Sequence, residues 1–129
     1  MNPAGYSDKS LIEKLGYSPG EKIYLFNAPE DFKNYLEENR VIVSNDLPTH
    51  WVHGFFRAKI ELAIFLDMKV VEKSQKGVWV SWPKKTSGVQ TYLTEQTFRD
   101  YLLPLGWVDT KVTAIDDTWS GLKFLRRKS

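Results

Sequence analysis

The sequence contains no cysteine, and this absence excludes three kinds of chemistry at once. Disulfide bonds, thiolate nucleophiles and zinc–sulfur sites all require cysteine thiols. Long apolar runs are also missing, since no stretch approaches the roughly 18 consecutive apolar residues of a membrane-spanning helix. The opening residues, MNPAGYSDKS, lack the basic start and apolar run of a secretory signal. We therefore expect a cytoplasmic protein without a membrane partner.

The residues that are present predict one globular domain. The chain has 129 residues, of which 42% are hydrophobic and 14% are aromatic, a composition typical of globular rather than disordered proteins. Because this length falls within the usual size of one domain, we expect a single domain over residues 1–129, with residues 1–9 flexible.

Charge is distributed unevenly along the chain. The net charge of +2 is too small to indicate a nucleic-acid partner. Residues 1–65 carry 7 basic and 9 acidic side chains, whereas residues 66–129 carry 11 and 7. The basic excess includes Lys84, Lys85 and the tail 126–128. Two interpretations stay open: solvated surface lysines, or a mild preference for anions.

Hydrophobic patterns and turn residues predict an alternation of helices and strands. The predicted helices cover 10–16, 27–39 and 57–73, with a further helix capped by Thr94 and ended by Pro104 and Gly106. The predicted strands cover 22–26, 41–44, 50–56, 77–82, 107–115 and 118–127. Such alternation indicates an α/β domain with a mostly parallel sheet and helices on both faces, closed by an antiparallel hairpin. This outline resembles the three-layer, Rossmann-like fold of methyltransferases.

Two segments carry specific expectations about burial. Apolar positions in 57–73 cover more than a single stripe, so we expect this helix to be largely buried. The run GVWVSW, residues 77–82, is almost continuously apolar and predicts a central strand covered on both faces.

In open parallel sheets, ligands bind beyond the carboxyl ends of the strands, where the strand order reverses. We expect loops 27–29 and 82–88 to lie there, and the second offers cationic, hydroxyl and backbone N–H donors for an anion. The alternative is a solvated loop in which Pro83 ends the strand. The candidate ligand-binding residues are Asn27, Lys84, Lys85, Thr86, Ser87, Gly88, Asp116 and Asp117.

Carboxylates and histidines are weaker candidates. Asp116 and Asp117 would bind a cation or act as acid and base, but Asp, Thr, Ser and Gly are also typical of a tight turn. His50 and His53 would diverge on a strand, so no metal site is expected.

The turn after the first predicted strand, LFNAPED, contains no glycine. A dinucleotide or S-adenosylmethionine site of the usual kind has a glycine-rich turn there, which allows the backbone to approach the ligand. Glu30 and Asp31 would also repel a phosphate. No cofactor is therefore expected.

Three stretches are distinctive when taken together: 15–32, 78–95 and 103–127. They contain LGYSPGEKIYLFNAPEDF, VWVSWPKKTSGVQTYLTE and LPLGWVDTKVTAIDDTWSGLKFLRR. They resemble a family of short bacterial proteins that carry a domain of unknown function, over about residues 11–126. That family has no assigned activity, and the resemblance implies a ligand-binding role for loop 82–88.

No complete catalytic signature is present, so we expect a binding or regulatory module for a small anion or an acidic partner surface. The alternative is an enzyme of the methyltransferase type with an atypical cofactor turn, in which Asp116 or Asp117 acts as a base. A nucleic-acid accessory protein would need exposed tryptophans for stacking, and we expect most of the five to be buried.

Overall fold

The computed structural model describes residues 10–127 and contains ten helices and strands. In chain order these are α1 (Leu11–Leu15), β1 (Lys22–Phe26), α2 (Glu30–Glu38), β2 (Ile42–Val43), β3 (Thr49–Phe55), α3 (Lys59–Asp67), β4 (Ser74–Pro83), α4 (Glu95–Leu102), β5 (Trp107–Ala114) and β6 (Trp119–Arg126). Three short 3₁₀ turns accompany them, at Val71–Lys73, Lys85–Ser87 and Leu103–Leu105. The expected flexibility of residues 1–9, and Lys128 of the basic tail, lie outside the described residues.

The six strands form one mixed sheet in the order β2-β1-β3-β4-β6-β5. The first four strands in this order are parallel to one another, and β6 is antiparallel to both β4 and β5. The predicted antiparallel hairpin is confirmed. Strand order reverses between β1 and β3, because the chain proceeds from β1 to β2 on one side and to β3 on the other.

Alternating side chains of the sheet separate two apolar cores. On β3, Val52 belongs to the core shared with α3 and α4, whereas the adjacent Trp51 belongs to the core shared with α1 and α2. Val78 and Trp79 divide in the same way on β4. Residues 77–83 are buried, as predicted for a central strand covered on both faces.

Local signals in the sequence explain where several elements begin and end. Gly16 ends α1 with a left-handed backbone (φ +81°), where its amide donates to the carbonyls of Ile12 and Glu13. Thr94 begins α4, and its hydroxyl accepts from the backbone N–H of Thr97. Ser10 precedes α1 without a capping bond from its side chain, so the capping box suggested by the sequence is not formed.

The helix predicted over 57–73 is shorter and more exposed than expected. It ends at Asp67, and Lys69 follows with a left-handed backbone (φ +61°) before a 3₁₀ turn. Leu62 and Phe65 are buried, but Ile60 is 65% exposed. The prediction of a largely buried helix was therefore wrong, because the apolar residues on its outer face are exposed.

Candidate ligand-binding clefts

A cleft of about 940 Å³ lies beyond the carboxyl end of β4, between the following loop and the start of α4. We call it the lysine cleft. Its walls include Trp82, Pro83, Lys84, Lys85, Gly88, Val89, Gln90, Thr91, Tyr92, Leu93, Thr94, Glu95, Gln96 and Ser120. The ring of Tyr92 is 97% exposed at this cleft, and Trp82 is buried in its floor. The volume is within the usual range for small-molecule sites.

The charge of the lysine cleft is positive. Glu95 is the acidic residue in its walls, and its carboxylate accepts from the guanidinium of Arg99 at 2.8 Å. Arg99 also donates to Asp109 at 2.9 Å, and the hydrogen bonds to Asp109 and Glu95 raise the pKa of the guanidinium. The ion pairs found among residues 10–127 do not involve Lys84 or Lys85. Their ammonium groups are therefore uncompensated within the described chain.

The loop after β4 uses some of its polar groups to hold its own shape. The hydroxyl of Ser87 donates to the Lys84 carbonyl at 2.7 Å and accepts from the Val89 amide at 3.1 Å. Gly88 has a left-handed backbone (φ +86°), which a residue with a side chain adopts only under strain. Thr86 is exposed. Lys84, Lys85 and Gly88 line the cleft, while Ser87 stabilises the turn.

Asp116 lies in the turn of the β5–β6 hairpin. Its Oδ1 accepts from the backbone amides of Thr118 and Trp119, each at 2.8 Å. This is the turn chemistry that the sequence left as one of two interpretations. The Lys84 amide donates to the Thr118 carbonyl at 2.7 Å, so the turn is joined to loop 82–88, which we call the lysine loop. Asp117 is exposed.

Asn27 lines a different cleft, of about 410 Å³, beyond the ends of β1 and β2. We call it the asparagine cleft. Its walls are Leu25, Asn27, Ala28, Glu30, Lys33, Glu37, Val43, Ser44 and Asn45. The backbone of Asn27 is left-handed (φ +56°), a conformation that asparagine tolerates better than most residues. The candidate residues from the sequence are thus divided between two clefts.

The point of strand reversal involves residues that the sequence analysis missed. The carboxylate of Glu61 accepts from the backbone amides of Arg57 and Ala58, at the start of α3, and from the Asn27 side chain at 3.3 Å. Arg57 lies with its guanidinium 5.1 Å from the centre of the Trp119 ring. Loop 56–58, rather than loop 82–88, therefore faces loop 27–29 across the reversal. The strand order, which local patterns leave undetermined, was needed to identify it.

Loop 56–58 is connected to the lysine cleft. The hydroxyl of Thr91 donates to the Arg57 carbonyl at 2.8 Å, and Thr91 is part of the cleft wall. Arg57 thus adds a cation near the carboxyl ends of the strands, although it is not itself in the wall. Near these strand ends Arg57 and Lys85 are exposed, and Lys84 is half-buried.

The two histidines have separate roles. His50 accepts from the Lys22 amide at 2.9 Å. His53 is fully buried, with its Nδ1 2.9 Å from the Tyr17 hydroxyl and its Nε2 2.8 Å from the Ser81 hydroxyl. Burial lowers the pKa of His53 to about 3 and raises that of Tyr17. Among residues 10–127, no group of three metal-ligating side chains is found.

All five tryptophans are buried, with at most 7% of their surface exposed. The expectation that most of them lie in the core is confirmed, and none offers an exposed ring for base stacking. Over the part of the chain that the structure describes, no helix has the length and apolar character needed to cross a membrane.

Solved structures with a similar fold include methyltransferases of low sequence identity. One, described as a "putative type 11 methyltransferase" from Sulfolobus solfataricus, has a TM-score of 0.64 and 12% identity, covering 98% of this chain and 95% of that one. A SAM dependent methyltransferase from Aquifex aeolicus has a TM-score of 0.58 and 10% identity, covering 94% and 90%. Identities this low support likeness of fold alone.

No curated protein matches the sequence. A family model does match, over residues 55–129, and it describes a domain of unknown function, DUF8412. The match includes the lysine loop and the β5–β6 hairpin, and it excludes the first distinctive stretch at 15–32. Because it spans more than half of the 129 residues, the chain belongs to the DUF8412 family of domains of unknown function.

Proposed function

We propose that this protein is a small binding or regulatory module with Rossmann-like layering, which holds an anionic small molecule or an acidic partner surface in the lysine cleft. The observation that carries the proposal is the uncompensated charge of Lys84 and Lys85 in a cleft whose acidic residue is paired with Arg99. An anion that enters this cleft gains two cationic donors without displacing an internal carboxylate.

The remaining walls suit recognition of a small molecule. Gln90 and Gln96 provide polar groups, and Trp82 and Leu93 provide buried apolar surface. Clefts of this size with a few polar groups among apolar ones are typical ligand sites. The loop is also held by Ser87 and by its bond to the hairpin turn, so its lysines start from a defined backbone. A preorganised backbone lowers the entropic cost of binding.

The test is a thermal-shift screen with inorganic phosphate, phosphorylated metabolites, nucleotides and an acidic peptide. A ligand at about a hundred times its dissociation constant adds about 2.7 kcal/mol, which should raise the melting temperature by several degrees. We expect the Lys84→Ala/Lys85→Ala double variant to remain folded and to bind the hit at least about tenfold more weakly, because it lacks both charged donors.

A matched control removes the same amount of charge at the amino ends of the strands, away from the lysine cleft. β1 begins at Lys22, and Lys73 immediately precedes β4, so Lys22→Ala/Lys73→Ala changes two exposed lysines at the amino ends of the strands. We expect this variant to bind as the wild type does. Equal loss in both double variants would indicate a general charge effect, and no loss in either would contradict the proposed site.

The second candidate is an enzyme of the methyltransferase type that holds an adenosyl cofactor in the asparagine cleft. Two observations favour it: the similar fold of two methyltransferase structures, and a cleft of about 410 Å³ beside Asn27. This space exceeds the lower limit of about 300 Å³ for small-molecule sites. The absence of glycine from the adjacent turn is less adverse for S-adenosylmethionine than for a dinucleotide. S-adenosylmethionine has no phosphate group that the backbone must approach.

S-adenosylmethionine and S-adenosylhomocysteine in the same screen test this candidate. A shift that is lost when Ser44→Trp fills the asparagine cleft, and retained in Lys84→Ala/Lys85→Ala, would support the enzyme. Titration calorimetry that detects no heat with either compound at millimolar concentration would contradict it. The two candidates use different clefts, so each can fail without the other.

A further inference from the structure

The outer face of α3 exposes apolar side chains in a regular row. Ile60, Ile64 and Met68 are spaced four residues apart and are 65%, 51% and 45% exposed. Residues with this spacing lie on one side of a helix. Exposed apolar side chains are unremarkable when scattered, but a contiguous row on a helix is typical of an interaction surface.

A second row lies directly beside the apolar one. We call Ile60, Ile64 and Met68 the apolar row, and Lys59, Ala63 and Asp67 the charged row. All three members of the charged row are exposed. The ion pairs found in residues 10–127 involve neither Lys59 nor Asp67. The small side chain of Ala63, in the middle, permits another helix to approach closely.

We infer that this face of α3 binds the same face of a second copy of the chain, with the two helices antiparallel and related by a twofold axis. In that arrangement Ile64 meets Ile64 of the second copy, and Ile60 meets Met68. The charged rows align so that Lys59 faces Asp67 of the second copy, and this pair occurs twice by symmetry.

The charges select both the partner and the orientation. In a parallel twofold arrangement the two charged rows would lie on opposite sides of the contact, so Lys59 and Asp67 would not face each other. The antiparallel arrangement brings opposite charges together at both ends of the contact. A surface that is complementary to itself in this way is characteristic of an isologous dimer interface. The occupant that these residues fit best is therefore a second copy.

The interface is small, because α3 has only nine residues. Interfaces below about 1,200 Å² in total are typical of weak or transient association. We therefore expect a reversible dimer that forms in the micromolar range and dissociates on dilution. The inference does not depend on the proposed ligand, since neither row contributes to the walls of the two clefts.

Sedimentation equilibrium of the full chain, from low micromolar to near-millimolar concentration, tests the inference. We expect a monomer–dimer equilibrium that Ile64→Glu weakens at least about tenfold, because it buries a carboxylate opposite its own copy. The matched control is Val112→Glu on β5, since Val112 is 50% exposed and Ile64 is 51% exposed. The control should associate as the wild type does.

Charge reversal distinguishes the proposed pairing from nonspecific stickiness. Lys59→Glu and Asp67→Lys should each weaken the dimer, because each places like charges opposite one another. The double variant Lys59→Glu/Asp67→Lys should restore it, since the pairs are then reversed but still complementary. These changes also suit the helix, with an acid in its first turn and a base in its last. A wild type that stays monomeric, a dimer that tolerates Ile64→Glu, or a double variant without recovery would overturn the inference.

Discussion

The buried His53 predicts that the stability of the fold falls as the solution is acidified towards pH 5. Burial lowers the pKa of its imidazole from 6.5 to about 3. Rings surround it at close distance: Phe55 is stacked 4.6 Å away between ring centres, and Phe32 lies 4.9 Å away. The polar groups on its two nitrogens are the hydroxyls of Tyr17 and Ser81. Neither can neutralise an imidazolium.

The sign and the size of this effect follow from proton linkage. Because the pKa of His53 is lower in the folded state, the unfolded chain binds more protons below pH 6.5. The contribution of His53 to stability is complete above that pH and is lost as the pH falls towards 3. At about pH 5 the loss amounts to about 2 kcal/mol, from some 1.5 pH units at about 1.4 kcal/mol each. In the folded protein the imidazole of His53 becomes half protonated only near pH 3.

Urea unfolding followed by tryptophan fluorescence, at about pH 7.5 and at about pH 5, measures this loss directly. We expect His53→Gln to be less stable at the higher pH by about 1–3 kcal/mol, because buried hydroxyls lose good partners, but to lose less on acidification. His50→Gln is the matched control and should keep the loss seen in the wild type. A wild type of equal stability at both pH values, or an unchanged loss in His53→Gln, would refute the reasoning.

Two substitutions test the packing and capping that shape the clefts. Gly77→Ala should destabilise the protein by about 1–3 kcal/mol in urea unfolding, because the added carbon would lie 2.8 Å from the Phe124 carbonyl oxygen in the neighbouring strand. Wild-type stability in this variant would mean that β4 and β6 are farther apart. Thr94→Ala should cost about 1 kcal/mol, since it removes the side-chain acceptor at the start of α4, and Thr94→Asp should restore the stability. A Thr94→Asp variant as unstable as Thr94→Ala would contradict the capping role.

The elements of the fold were largely predictable because their signals are local. The pattern KIYLF predicted β1 with the same bounds as the structure, and Gly16 and Thr94 mark helix ends through backbone conformation and capping. The continuous apolar run of β4 predicted its central position. Each of these features depends on residues within a few positions of one another.

The features that were missed depend on contacts between distant segments. The spacing of residues in the sequence does not reveal that the Asn27 side chain bonds to Glu61. It also does not reveal that the strand order reverses between β1 and β3. The hydroxyl of Ser87 counted as a ligand donor in the sequence, but in the structure it is bonded within its own loop. The helix over 57–73 was misjudged because a pattern of apolar residues does not say whether both faces are covered.

The outer strands of the sheet have a consequence for aggregation. One edge is β2, which has only two residues, Ile42 and Val43. The other edge is β5, whose register with β6 shifts between Asp109 and Lys111. A very short strand, and a strand interrupted by an irregularity between charged residues, are poor templates for pairing with another chain. Growth of a fibril by addition of strands to these edges should therefore be slow while the sheet is folded.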